Sequence, residues 1–316
     1  MYDTDPATPL NDAYHGGVDF LGASMKELKM HASLSEQVQR LKDRGLVIDD
    51  NDAVENVLSN INYYRLSGYL HNFKVTASDS YTENLSWTMV KRIYDLDRKL
   101  TRILMYALED IEETLKTRFS YTITSCYPDD PTIYLKPTIY RQYAPYLRFL
   151  ASFFNIKENN QSLPFVDHHN EEYGGFLPMW VAVELLTMGN LHALYNNLKS
   201  EHQKALARTY GTGPRQLASW IENLTYTRNH LAHYMRIYNF NFGRTPAECN
   251  RHRRGFSPSN MVFDQIYIIY CMYSDKLEWN NYVLPEIRAL IDEYSGDAEL
   301  SGLGFPTNWE DILTRR

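Results

Sequence analysis

The sequence predicts an all-α fold, in which a helical bundle packs against a smaller helical unit. Between Trp87 and Cys126, apolar residues recur every three or four positions with no internal glycine or proline, which is the period of an α-helix. Shorter stretches of the same period follow it along the chain. No alternation of polar and apolar residues is long enough to indicate a β-strand.

The first part of the chain predicts the smaller unit. Residues 1–24 mix Asp, Pro, Gly and Thr without periodicity, which favours a flexible N-terminal arm. Ser33 and Glu36 match a capping box that opens a first helix, and Gly45 is its stop signal. The carboxylates that follow can cap a second helix. We therefore assign an N-terminal helical unit to residues 25–86.

The long periodic segment is the expected spine of the bundle, roughly 50–60 Å long at about 1.5 Å per residue. Its expected buried positions are Ile93, Leu96, Leu100, Ile103, Ala107, Ile111, Leu115 and Phe119. Further helical patterns lie at about 139–157, 178–197, 200–210, 214–238, 260–276 and 279–294. We assign the bundle to residues 87–296 and a C-terminal tail to residues 297–316.

Composition excludes several classes of function. The 316 residues carry a formal net charge of −7, the wrong sign for a protein that coats nucleic acid by bulk electrostatics. An RNA-binding role therefore needs a local basic site. Three widely separated cysteines argue against a disulfide framework or a zinc site and for a reducing compartment. No apolar run reaches the roughly 20 residues of a membrane span, so we expect a cytoplasmic protein without membrane contact, metal or cofactor.

A long basic loop is predicted at residues 239–259, where arginines lie among Gly, Pro and Asn. Loops of this length inside a compact domain are often functional. Arg251, Arg253 and Arg254, with Arg236 just before the loop, are therefore candidate RNA contacts. The alternative is a solvated surface loop.

Arg228, Asn229 and His233 combine side chains that suit the cleavage of a phosphodiester. Arginine holds phosphate with a permanent charge and two hydrogen bonds, histidine moves protons near neutral pH, and asparagine adds a hydrogen bond. At roughly 100° per residue, Asn229 and His233 share a helix face, whereas Arg228 lies about 140° from His233. A complete site therefore needs a bend, long side chains that reach inward, or a second copy across a two-fold axis. Taken alone, so short a pattern more often marks an ordinary polar helix face.

Four further side chains are candidates to support this site. Glu109 and Glu112 lie one turn apart on the long helix, where either could hold Arg228. Glu184 lies in an otherwise apolar stretch, so we expect it to be buried and to need a partner. We expect Glu184 or Glu109 to orient the site and His230 to be a supporting or surface group.

Other polar residues are given structural roles. Asp95 and Asp97 are expected to be helix caps or surface charges rather than Mg²⁺ ligands. Arg65 is expected to clamp two helices together, with an RNA contact as the alternative. His168 and His169 diverge on a helix and have no third ligand in register, so they predict no metal site.

Four blocks of sequence occur in an order that carries a family resemblance. They are Gln37–Asp50 with Ile61–Tyr69, Tyr94–Arg98 with Glu109–Glu112, Leu177–Glu184 with Gly189–Leu191, and Arg228–His233 with Arg236 and Asn239. Together they resemble the abortive-infection (Abi) family of bacterial phage-resistance proteins, over about residues 34–240. The ordered set is far more specific than any one block. One departure is Thr227, because the family more often has an aliphatic residue before the arginine.

That family is similar to the HEPN superfamily, helical proteins whose R-x4-6-H motif carries metal-independent RNase activity, usually in dimers. The resemblance implies a HEPN-like bundle, a homodimer, an RNA substrate, and catalytic roles for Arg228, Asn229 and His233. It also implies an endoribonuclease that acts in phage defence under the control of a regulatory RNA or protein. Two alternatives stay open: an RNA-binding or sensor protein that does not cleave, and an interaction module built on the 25 tyrosines.

Overall fold

The computed structural model describes residue 28 and residues 30–75, 79–247, 257–295 and 300–314. Within these ranges the chain is helical and contains no β-strand, so the predicted all-α fold is confirmed. Isolated β-bridges are the only extended pairings in the described part of the chain.

Three short helices form the N-terminal unit. They are α1 (Leu34–Asp43), α2 (Asn51–Asn60) and α3 (Tyr63–Leu70). The predicted capping box opens α1: the Ser33 hydroxyl accepts the backbone N–H of Glu36, and the Glu36 carboxylate accepts the backbone N–H of Ser33. Gly45 turns the chain at a φ of 92°, a conformation that glycine adopts without strain. The arm predicted at residues 1–24 lies outside the described residues.

The remaining helices form the bundle. They are α4 (Trp87–Cys126), α5 (Tyr143–Asn159), α6 (Pro164–Glu172), α7 (Met179–Ala182), α8 (Met188–Asn197), α9 (Ser200–Thr209), α10 (Pro214–Ala232), α11 (Val262–Met272), α12 (Lys276–Glu278), α13 (Leu284–Glu293) and α14 (Trp309–Thr314). A π-helical turn, Trp279–Val283, joins α12 to α13.

α4 is the spine, and its bounds are those that the periodicity predicts. The Ser86 hydroxyl caps it by accepting the backbone N–H of Met89 at 3.2 Å. All the predicted apolar positions of α4 are buried except Ile103, which is half-buried. Because α4 packs against α3, α7, α9, α10, α11 and α13, it connects the N-terminal unit to the helices of the bundle.

The single helix predicted at 178–197 is broken in the structure. α7 gives way to a 3-10 turn, Val183–Leu185, and α8 starts afresh at Met188. The break has a local cause, because Thr187 and Asn190 form a capping box that opens a new helix. Helix α6 was not predicted, although Pro164 in its first turn is a favoured start signal.

α11 is the most enclosed helix. Every residue from Val262 to Tyr270 is buried, and the helix packs against α4, α10 and α14. A helix that is apolar on nearly all sides belongs in the interior of a protein. None of the described helices, α11 included, is both long and apolar enough to cross a membrane.

The segment 297–316, predicted as a C-terminal tail, is part of the fold where it is described. α14 packs against α11 and buries Trp309, Ile312 and Leu313. The indole N–H of Trp279 donates to the backbone carbonyl of Leu313 at 3.0 Å in a buried contact. Leu313 therefore completes a hydrophobic core that is continuous back to α1.

The fold predicts a difference between two leucines near the C-terminus. Leu313→Ala removes a fully buried side chain and should lower the free energy of unfolding by about 2–5 kcal/mol. Leu277→Ala is the matched control, because Leu277 is exposed and its loss should cost less than about 0.5 kcal/mol. Urea denaturation measures both. Equal small effects would mean that the C-terminal segment is a loose tail after all.

Candidate functional site

Helix α10 carries the arginine–histidine motif and ends one residue before His233. The backbone N–H groups of Tyr234 and Met235 donate back into the last turn at 2.9 and 3.0 Å, which closes a Schellman motif. Tyr234 adopts a φ of 57°, the left-handed conformation that glycine usually supplies at this position. The helix predicted over 214–238 is therefore wrong beyond Ala232, because a tyrosine takes the place of the expected stop signal.

This ending leaves His233 at the surface. Its backbone N–H bonds to the carbonyl of Asn229 at 3.0 Å, which keeps the two residues on one face of the helix end. Both side chains are exposed. In the described part of the chain, no hydrogen bond or ion pair reaches the imidazole of His233. The imidazole is therefore accessible to a ligand.

Arg228 lies on a different face, against α4. Its Nε is 3.6 Å from Oε2 of Glu112, and its Nη1 donates to Oδ1 of Asn229 at 3.4 Å. The Arg228 side chain remains 38% exposed, against 18% for Glu112. No hydrogen bond or ion pair joins Arg228 to His233 within the described ranges. One chain thus presents the two groups on different faces of the helix end, without closing a site between them.

The carboxylate beside the arginine is Glu112, one of the two glutamates of α4 that could hold it, rather than Glu184 or Glu109, the residues expected to orient the site. Glu109, one turn earlier on α4, is exposed. Glu184 lies in the 3-10 turn after α7, where its side chain is 53% exposed and 3.9 Å from Nζ of Lys116. The expectation that Glu184 is buried is wrong, because its neighbours on either side fill the core and the turn leaves the carboxylate outside.

A buried polar pair fixes the helix behind the motif. Thr227 is fully buried, and its Oγ1 donates to Oε1 of Gln265 on α11 at 3.0 Å. An aliphatic residue at this position would remove a partner from the buried amide oxygen, which costs about 1–3 kcal/mol. Gln265 thus pairs with the hydroxyl that distinguishes Thr227 from the aliphatic residue of the family pattern. Their hydrogen bond fixes the rotation of α10 about its own axis, and this rotation places Arg228 against α4.

His230 has a structural role. It is 8% exposed, and its Nε2 donates to the backbone carbonyl of Arg236 at 2.8 Å. Its ring lies 4.3 Å from that of Phe240. Burial lowers the pKa of His230, which favours the neutral imidazole. His230 therefore holds the segment after the Schellman turn and is neither a surface group nor exposed for chemistry.

Asp97 on α4 anchors the same segment. Its Oδ2 accepts the backbone N–H groups of Ile237 at 2.8 Å and Tyr238 at 2.9 Å, and the side chain of Tyr69 also hydrogen-bonds to it. Asp97 is 1% exposed, so the expectation of a helix cap or a surface charge is wrong. No local pattern reveals this role, since the donor at Ile237 is 140 residues away along the chain.

Two arginines tie the turn to the N-terminal unit. Arg236 donates from Nη1 to the carbonyl of Gly68 at 2.5 Å, and Arg65 donates to the carbonyl of Tyr234. Arg65 is therefore the clamp that the sequence predicts. Arg236, predicted as an RNA contact, uses its guanidinium as a second clamp.

Only part of the predicted basic loop, 239–259, is described. The three candidate RNA contacts within it lie outside the described residues: Arg251, Arg253 and Arg254. Before that gap, the indole N–H of Trp220 donates to the carbonyl of Ala247 at 2.8 Å. The loop therefore starts packed against α10.

The end of α10 offers a guanidinium, an amide and an imidazole for chemistry. The described residues include no group of three or more His, Cys, Asp or Glu side chains that could hold a metal ion.

Asp95, predicted as a cap or a surface charge, pairs with Lys91 at 2.7 Å.

The family model for Abi-like proteins matches residues 56–239, more than half of the chain. The chain belongs to this family. The match begins within α2 and ends just after Ile237 and Tyr238, whose backbone N–H groups bond to Asp97. It therefore contains both the arginine–histidine motif and Asp97. The Abi resemblance is thereby confirmed over these residues, and membership associates the chain with abortive-infection phage defence. No curated protein and no solved structure matches the chain.

The buried carboxylate predicts a pH dependence of stability. Burial raises the pKa of Asp97 to about 6 from an ordinary value of 3.8, against the opposing effect of its hydrogen bonds. The pKa of Asp97 is higher in the folded state than in the unfolded state, so protonation of this carboxyl stabilises the fold. This stabilisation is complete below about pH 4 and is lost as the pH rises through about 6. A shift of about two pKa units corresponds to about 3 kcal/mol.

Asp97→Asn tests this dependence, because the amide keeps an oxygen acceptor but does not titrate. The free energy of unfolding of the wild type, minus that of Asp97→Asn, should fall by up to about 3 kcal/mol between pH 4 and pH 7. Urea denaturation at a series of pH values measures it. A difference that stays constant over this range would show that the carboxyl does not titrate as described.

Proposed function

We propose that this protein is a HEPN-type endoribonuclease that acts as an abortive-infection effector and cleaves RNA without a metal ion. The observation that carries the proposal is the exposed imidazole of His233, which shares a helix face with Asn229 at the end of α10. The guanidinium of Arg228 donates to the side-chain oxygen of the same Asn229. Membership of the Abi-like family supports the defensive role. Because such an RNase endangers its own cell, the proposal includes a regulatory RNA or protein.

The proposed reaction is attack by the RNA's own 2′-hydroxyl. His233 takes the 2′ proton or protonates the departing 5′-oxygen, help that is worth on the order of 10²–10⁴ in rate. The bond from O2′ to phosphorus forms as the bond from phosphorus to O5′ breaks, giving a 2′,3′-cyclic phosphate and a 5′-hydroxyl. Arg228 holds the phosphate charge, and Asn229 adds a hydrogen bond that orients the group.

The proposal includes a homodimer. Each chain offers one exposed histidine in the motif, whereas the reaction needs both a base and an acid. In each chain, moreover, Arg228 lies against α4 rather than against His233. Two copies around a two-fold axis supply two arginines and two histidines to one cleft. This arrangement resolves the geometric difficulty of a motif on a single helix.

His233→Ala should abolish the cleavage of labelled RNA in EDTA, whereas wild-type protein should give 2′,3′-cyclic phosphate and 5′-hydroxyl ends. The matched control is His168→Ala, which removes an exposed histidine far from the motif in sequence and should cleave at the wild-type rate. RNA binding without cleavage under all conditions, extract of infected cells included, would favour the non-cleaving sensor. Loss of wild-type activity in EDTA would contradict the metal-free mechanism.

Glu112→Gln should lower the cleavage rate about tenfold, equivalent to about 1.4 kcal/mol of transition-state stabilisation, because Arg228 loses the charge that orients it. The matched control is Glu109→Gln, one turn away on α4 and exposed, which should stay within about two-fold of wild type. Single-turnover rates and melting temperatures are measured together. Equal rates for the two variants would remove Glu112 from the site.

A further inference from the structure

We propose a second phosphate-binding subsite beside His233, a basic pocket that holds the nucleotide next to the cleaved bond; this inference rests on the proposed RNA substrate. The pocket has a volume of about 250 Å³. The residues that line it are Asn60, Ile61, Asn62, Arg65, Tyr94, Arg98 and Tyr234. It contains two arginines and no acidic side chain, so its chemistry suits an anion.

The position of the pocket connects it to the candidate active site. Its walls come from the end of α2, the start of α3, the first half of α4, and Tyr234. Tyr234 directly follows His233, and consecutive Cα atoms are about 3.8 Å apart. An RNA strand held at His233 would therefore have its neighbouring nucleotide within reach of this pocket.

Arg98 is the residue of the pocket that most favours an anion. Its Nη1 is buried and has no hydrogen-bond partner in the described structure. The adjacent carboxylate of Asp97 accepts backbone N–H groups of Ile237 and Tyr238, and Nη1 of Arg98 forms no hydrogen bond to it. A buried cationic donor without an acceptor is unfavourable, and a small rotation of the guanidinium toward the pocket that Arg98 lines would let a phosphate oxygen accept from it.

Two more groups supply donors. Arg65 is exposed and uses Nη1 to hold the Tyr234 carbonyl, which leaves the rest of its fork for a ligand. Asn62 uses Oδ1 to accept the backbone N–H of Tyr64 at 2.8 Å, so its amide NH₂ is the part left to donate. A phosphate would thus meet two guanidinium groups and an amide.

Tyr234 offers a ring for the base of the same nucleotide. The Arg98 guanidinium lies 4.8 Å from the ring centroid on one side, yet the residue is 58% exposed. Its left-handed φ of 57° is uncommon for a bulky residue, and the Arg65 and Arg98 contacts hold it there. A base can stack on the exposed ring, a contact that every base makes and that single-stranded RNA presents.

The test is binding of a short, fully 2′-O-methylated oligoribonucleotide, which cannot undergo 2′ attack. Arg98→Gln should weaken binding about 10-fold to 100-fold and reduce the slope of log K against log[salt] by about one. Arg65→Gln, at an exposed position, should act in the same direction, and its melting temperature is measured alongside because Arg65 also holds the Tyr234 carbonyl. Arg102→Gln is the matched control: it lies one turn further along α4, is exposed, and should change neither quantity.

The outcomes separate this subsite from the proposed cleavage. If Arg98→Gln and Arg65→Gln bind like wild type while His233→Ala still abolishes cleavage, the pocket is not a subsite and the nuclease stands. If both variants lose affinity and salt slope but no protein cleaves natural RNA, the subsite stands and the nuclease proposal fails. Failure of wild-type protein to bind the oligonucleotide would overturn the subsite.

Discussion

The carboxylate of Asp97 is the contact on which the candidate site depends. It lies in the first third of α4, is almost fully buried, and accepts two backbone N–H groups from the segment after the motif. Without it, two buried donors would be left unpaired, at a cost of about 1–3 kcal/mol each. With it, the chain must turn sharply after α10, so that Tyr234 takes its left-handed conformation and His233 is left at the surface.

The polar residues around this turn divide into those that build it and those that stay accessible. His230 lies three residues before His233, yet it is buried and bonded to a backbone carbonyl, whereas His233 is exposed. Arg236 is engaged as a clamp, whereas Arg228 lies at the edge of α4 with part of its guanidinium in solvent. Residue type alone thus does not assign a role, because burial and partners decide which histidine and which arginine can meet a ligand.

Sequence patterns predict an element correctly where residues that are neighbours in sequence determine its structure. The period of α4 and the capping box of α1 are set by neighbours in sequence, and both predictions are confirmed. The end of α10 was missed because tertiary contacts, not a glycine, impose the turn at Tyr234. The sequence leaves Glu109 and Glu112 open as partners of Arg228, since only the packing of α10 on α4 selects Glu112.

The central claim is that two chains combine Arg228 and His233 in one cleft that cleaves RNA. Co-expression of Arg228→Ala and His233→Ala chains with different tags, followed by purification on both tags, isolates the mixed dimer. We predict that each variant alone is inactive, whereas the mixed dimer, in which the histidine of one chain meets the arginine of the other, recovers a fraction of the wild-type cleavage in EDTA, because one of the two proton transfers keeps its imidazole. A mixed dimer as inactive as its parents, or a wild-type protein that is monomeric and fully active, would contradict the claim.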